Sequence, residues 1–212
     1  MFIGTVYGVV AAAAGGKTDA VMMRIVDVIY GLPYILLVVL LAVAVDGFVS
    51  NHAADWQLSQ TQQLWIDLAT LFVAIGGVSW LTMARVIRGQ VLSLKNQPFM
   101  EAARAIGVPW HRQFLRHLLP NLLGPIIVYA TLTVPQAILQ ESFLSFLGIG
   151  VKPPLPSWGN LAADGLDQVN RHQSDWWLLL FPSLLLGVTL LALNFVGEGL
   201  REAFDPKRER QS

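Results

Sequence analysis

Apolar residues run along this chain in long stretches, broken by short clusters of charge. A hydrocarbon core of ~30 Å is crossed by a helix of about 20 residues. Four stretches meet or approach that length: Leu32 to Val49, Leu64 to Ala84, Leu122 to Leu139 and Trp176 to Val196. A fifth run, MFIGTVYGVVAAAA, reaches only 14 residues before Gly15 and Gly16, or roughly 21 Å of helix. The pattern predicts an all-α, polytopic transmembrane helical bundle with five visible spans.

Composition agrees. Hydrophobic residues are 54% of 212, charged residues 13%, and the mean hydropathy is +0.55; a soluble domain carries about a quarter charged residues. The 14 basic and 14 acidic side chains cancel, so no global field points to nucleic acid. Cysteine is absent, which removes disulfides and thiolate metal sites. No Lys or Arg precedes the first apolar run, as a secretory signal requires, so that run reads as a clipped helix.

Charge placement sets the expected orientation. Gly15 to Gly31 holds Lys17 and Arg24, Ser50 to Gln63 holds no base, Arg85 to Asn121 holds six, Glu141 to Asp175 holds Lys152 and Arg171, and the tail from Gly197 holds four. Alternate connections total 12 against 2, and positive residues near span ends stay cytoplasmic. Residues 85–121 and the C-terminus are therefore expected in the cytoplasm, and residues 141–175 outside, as loops of a single domain over 1–212. The visible N-terminus then faces outward, an awkward start that one further span upstream would repair. Six spans are expected in the complete subunit.

The stretch EAARAIGVPWHRQFLRHLLPN, Glu101 to Asn121, is the most basic part of the chain. Asn96 suits an N-cap, Pro98 a first helical turn, Glu101 the positive end of the dipole, and Gly107 a left-handed stop. Pro109 is expected to open a second helix that runs to Pro120, with Trp110, Phe114, Leu115 and Leu118 on an apolar edge and Arg112 with Arg116 on a cationic one. A merely solvated connection needs neither two separately punctuated helices nor the Ala102–Ala103 pair. The order of the segment points to a docking surface.

EAARAIG, followed after nine residues by HLLP, resembles the EAA motif of inner-membrane permease subunits of ABC importers fed by an external binding protein. Glu101, Ala102, Ala103, Gly107, Leu119 and Pro120 match the family pattern, and His117 stands where it commonly has Ile. RHLLPN, MMRIVDVIYGLP and ESFLSFLGIGVKPPLPSWGNLAADG are similar to the dipeptide and oligopeptide branch, and the likeness runs from about Gly15 to the tail.

The resemblance implies a non-enzymatic, multi-pass permease of the bacterial inner membrane, with its C-terminus cytoplasmic. It forms half of a peptide pathway beside a second, related permease subunit. Two ATP-binding cassette subunits lie below, a solute-binding protein above and membrane lipid around. The EAA helix becomes a coupling helix docked in the ATPase: Glu101 bonding at that surface, Ala102 and Ala103 allowing close approach, Gly107 setting the angle between helices, and Arg104 with Arg112 contributing charge. No cofactor or metal is implied, and the same branch includes nickel as a cargo.

Other residues change the picture less. Phe143, Leu144, Phe146, Leu147 and Ile149 suggest a short interfacial helix ahead of a stiff KPPLPSWGN segment, which reads equally as a contact for the binding protein or an external gate and as an anchored loop that only joins two spans. Asp46 and Asp67 read as boundary residues, Glu198 as a partner of Arg201, and Gly76, Gly77, Ser79 and Gly187 as close helix contacts. His52, His111, His117 and His172 form no metal pair, and no Walker-type loop is present. A self-contained channel or carrier would show repeats or ionisable residues at mid-span, and an intramembrane enzyme would need an acid–base pair or a nucleophile. Neither signature is evident; Pro125 and Pro135 are candidate kinks in one span.

Overall fold

The computed structural model describes residues 1–52, 59–169 and 175–203. Arg171 and His172, with Lys207, Arg208 and Arg210 of the tail, lie outside the described residues. The long elements among the described residues are helices: α1 Phe2–Ala14, α2 Gly16–Tyr30, α3 Tyr34–His52, α4 Gln60–Lys95, α5 Pro98–Ala105, α6 Trp110–Gln113, α7 Leu119–Phe146, α8 Trp158–Asp167 and α9 Trp177–Ala203. Four spans, Tyr34–His52, Thr61–Lys95, Trp110–Phe146 and Trp177–Ala203, are long and apolar enough to cross a membrane, and Phe2–Ala14 is a shorter apolar helix. The all-α, multi-pass expectation holds.

Several boundaries move. Gly15 to Gly31, expected as a connection, forms helix α2. Arg85 to Lys95, expected in a loop, continue α4 by about three turns, and Arg85, Arg88 and Lys95 find partners there. Phe143 to Phe146 are the last turn of α7, not a separate interfacial helix. The short helix on that side is α8, where the Ser157 hydroxyl accepts from the Gly159 N–H at 3.1 Å, as an N-cap does.

The described residues divide into two compact units, 1–32, 79–132 and 195–203 forming the first and 33–52, 59–78, 133–169 and 175–194 the second. In the first unit α1 lies against α4 through glycine. A methyl group added at Gly4 would sit 2.4 Å from the Trp80 carbonyl oxygen, and one at Gly8 2.4 Å from that of Ala84. Gly4, Gly8 and buried Ala12 recur every fourth residue, so one face of α1 is bare enough for backbones to touch. Gly76 and Gly187, expected to make contacts within the bundle or with a partner, have no neighbour among the described residues within 4 Å of an added methyl, and Gly77 meets Leu41 at 4.0 Å. In the first unit, a methyl group added at Gly197 would sit 2.9 Å from the Leu132 side chain.

Helix α2 is tied to α4 by charge. Arg88 grips Asp19 with Nε at 2.5 Å and Nη2 at 2.6 Å, while Arg85 reaches Asp27 at 2.7 Å and stacks over Tyr30 at 4.0 Å. The core of this unit comprises Ala12, Met83, Ile87, Val91, Met100, Leu118 and Leu122.

In the second unit, the Tyr34 hydroxyl bonds Gln140 Oε1 at 2.6 Å. Lys152 joins the segment after α7 to both Asp46, at 2.8 Å, and Asp67, at 3.1 Å. Burial pulls the Lys152 ammonium down, but the two carboxylates outweigh it and hold its pKa above the ordinary lysine value. Asp46 and Asp67 thus share one counter-ion.

Candidate functional site

The basic elbow is built on the C-terminal end of α4. After Lys95 the chain turns through Asn96 and Gln97, and Gln97 rather than the expected Asn96 takes the N-cap place, extended at φ −81° and ψ 147°, with no side-chain cap bond. Its carbonyl accepts from Met100 and Glu101 N–H, at 2.9 and 3.2 Å. Pro98 comes next at the first helical position, where no N–H is missed.

Helix α5 presents two faces. Met100 and Ala103 are buried, Met100 completely, among Ile87, Val91 and Leu118. Glu101, Ala102, Arg104 and Ala105 face outward, flanked by Phe99 and by Ile106, which is 79% exposed. The Ala102–Ala103 pair therefore divides: Ala103 packs against its own chain and only Ala102 is open to a partner. Arg104 Nη2 donates to the Lys95 carbonyl at 3.0 Å, placing a cation on the negative end of α4. Among the described residues the exposed Glu101 carboxylate has no hydrogen-bond or ion-pair partner.

Gly107 ends α5 at φ +75°. Its N–H bonds the Arg104 carbonyl at 3.0 Å and the Val108 N–H bonds that of Ala103, also at 3.0 Å, the paired bonds of a Schellman stop that glycine accommodates without strain. The left-handed expectation at Gly107 is met. Pro109 is the N-cap of the next helix rather than its first residue.

That next helix does not stop at Pro120. Phe114–Leu118 widen into a π turn, with Leu119 N–H bonded to the Phe114 carbonyl, and α7 then continues through Pro120, Pro125 and Pro135. Pro120 offers no N–H, and its ring crowds the preceding turn; the wider turn makes room, and Asn121 Nδ2 bonds the His117 carbonyl at 2.7 Å. The apolar edge is also different. Leu118 is buried, but Leu115 is 58% exposed, while Gln113 is buried and donates from Nε2 to the Val108 carbonyl at 2.5 Å. The π turn shifts the register after Phe114, which a regular 3.6-residue period does not anticipate. Arg112 and Arg116 lie exposed, and Trp110 receives the Lys95 ammonium 5.6 Å from its ring centre.

Phe99, just ahead of the motif, and Ile106, at one of its variable positions, are further members of this surface. Two large apolar side chains exposed beside a polar helix are the available signal.

Residues 4–210 match the family described as binding-protein-dependent transport system inner membrane component. Relatives include an oligopeptide transport system permease protein OppC of Haemophilus influenzae, 45% identical over 97% of this chain and 59% of its own length. The dipeptide transport system permease protein DppC of Bacillus subtilis is 43% identical over 98% of the chain and 58% of its own. OppC of Escherichia coli is 48% identical over 91% and 57%. The chain spans about three fifths of the length of these relatives.

Proposed function

Since this chain belongs to the family of binding-protein-dependent transport system inner membrane components, we propose that it forms half of the solute pathway of an ATP-driven peptide importer. Helix α5 is its coupling element. A second, related permease subunit completes the pathway, two ATPase subunits bind below, and an extracytoplasmic solute-binding protein delivers the peptide; the elbow and the C-terminus face the cytoplasm. Hydrolysis belongs to the ATPase, and this chain converts its closure into a change of access.

The observation that carries the reading is the division of α5. Met100 and Ala103 anchor it to the core while Glu101, Ala102 and Arg104, with Phe99 and Ile106, are exposed, Arg104 keeping one bond to the Lys95 carbonyl. A lever needs this combination: the outer face is pushed, and the inner face transmits the displacement because packed cores shift as units. Names of relatives that refer to oligopeptides and dipeptides favour peptide over nickel as cargo.

Co-purification tests it. The full-length subunit, co-expressed with its permease partner and ATPases, is expected to capture the ATPase, and a Glu101→Lys, Gly107→Pro variant that still inserts is expected to lose it. Capture by both would remove α5 from the interface; capture by neither, or uptake of nickel in place of peptide by the assembled complex, would overturn the reading.

A further inference from the structure

We propose that the second unit holds a binding site for a cationic amine, with Glu141 as its anionic anchor. A cavity of about 440 Å3 opens between α4, α7 and the segment leading to α8, within the roughly 300–1,000 Å3 of small-molecule sites. Its walls are apolar, including Phe72, Ile75, Val134, Ile138 and Leu155, and Glu141 is the ionisable residue among its lining. Glu141 was assigned from sequence to an outer loop; it lies instead inside α7, within an apolar span. An ionisable group there is costly and marks function by default.

The carboxyl group is held by hydroxyls. Oε1 accepts from the hydroxyls of Ser145 and Ser157, each at 2.7 Å, and Oε2 from Ser142 at 3.3 Å. All three serines are buried, and Ser145 Oγ in turn accepts from the Val151 N–H at 2.9 Å, so the anchor is fixed to both helix and loop. A carboxylate offers about four lone-pair sites; Oε2, with one long bond, has capacity left. No cation among the described residues pairs with Glu141. An unpaired negative charge beside apolar walls attracts a cation more strongly than it would in water.

An ammonium suits this site better than a metal. It is a compact charge with three donors, and the apolar walls receive the carbons attached to it. A hard cation wants six or more oxygen ligands, whereas one carboxylate stands here. Resting on the importer reading, the ammonium is the amino end of a peptide in transit.

The test uses the full-length subunit with its partner chains in lipid nanodiscs. Equilibrium binding of labelled phenethylamine is measured with 2-phenylethanol as a neutral competitor. Wild type is expected to bind the amine, with the alcohol competing at least tenfold more weakly. Glu141→Gln, which keeps an acceptor for Ser145 and Ser157, is expected to lose at least tenfold in amine affinity. Ala137→Phe fills the cavity without touching the serine network and is expected to block the amine with Glu141 intact. Unchanged binding in either variant, with native melting behaviour, overturns the site.

Uptake of a tripeptide and of its N-acetyl form then tests the cargo. Glu141→Gln is expected to lower uptake of the free amine alone. Equal loss of both peptides overturns the peptide assignment. Amine binding that depends on Glu141 in a complex importing no peptide supports the site and defeats the importer reading.

Discussion

Arg88 closes on Asp19 with both arms of its guanidinium, at 2.5 and 2.6 Å, and the Asp19 side chain is only 11% exposed. The neighbouring Arg85–Asp27 pair, 38% and 54% exposed, is worth little by comparison, since water screens it. The bond between α2 and α4 therefore resides in one pair. Asp19→Asn is expected to lower the stability of the solubilised full-length subunit by about 1–3 kcal/mol, and Asp27→Asn by under ~1 kcal/mol. The Arg88 hydrogen bonds hold Asp19 below the usual carboxylate range, against the opposing pull of burial. A depressed folded pKa contributes stability that is present above the unfolded value and lost as pH falls through the folded one. The gap between wild type and Asp19→Asn in thermal melts should hold at neutral pH and close only below about pH 4.

Gly8 touches α4 so closely that a Cβ would collide with the Ala84 carbonyl. Gly8→Val should displace α1 and reduce the melting temperature. Gly187→Ala, at an open position on α9, should stabilise slightly if it changes anything, since alanine is the better helix former by about 1 kcal/mol. Equal effects at the two positions would refute the packing of α1.

Met100 and Glu101 are adjacent and opposite in consequence. Met100→Ala, which empties a fully buried site, is expected to cost about 2–5 kcal/mol and to weaken peptide-stimulated ATP hydrolysis by releasing α5 from its anchor. Glu101→Gln should leave the melting temperature unchanged and affect only partner capture. Gly107→Ala, at φ +75°, adds about 1–2 kcal/mol of left-handed strain.

Among the described residues, Lys152 is the cation shared by Asp46 and Asp67. Lys152→Met leaves two carboxylates facing each other and should increase proteolysis between α7 and α8. Its raised pKa means that the stabilisation is complete below the unfolded lysine value of about 10.4 and lost as pH rises through the folded one. The variant should therefore differ from wild type at neutral pH and converge with it only in strong alkali.

Much of this architecture is legible in residue order, for reasons that particular positions make clear. Long apolar runs permit only helices in lipid, so α3, α4, α7 and α9 follow from hydropathy. Gly107 declares its stop because few other residues tolerate its conformation. What escapes is whatever depends on contacts distant in sequence. Arg85, Arg88 and Lys95 read as topology charges, yet they bond Asp27, Asp19 and the Ala12 carbonyl. The Gly4–Gly8–Ala12 stripe is a legible small-residue spacing whose partner is not. Leu115 leaves its expected place because a π turn alters the period after Phe114, and Glu141 reads as a loop residue because Ser157, which completes its serine set, arrives only once the loop has folded back.

The most direct test of the lever places reporters on the outward face of α5 and a reference on α9. The chain has no cysteine, so a single one introduced at Ala102 or Ile106 reports an outward position, and one at Ser183 on α9, exposed in the other unit, serves as reference. In the assembled full-length importer, a short bifunctional thiol reagent is expected to join Ala102→Cys and Ile106→Cys to cysteines in the ATPase, with yields that change when ATP is bound, and to leave Ser183→Cys uncoupled. Cross-links to the ATPase from Ser183→Cys, with none from α5, would contradict the account.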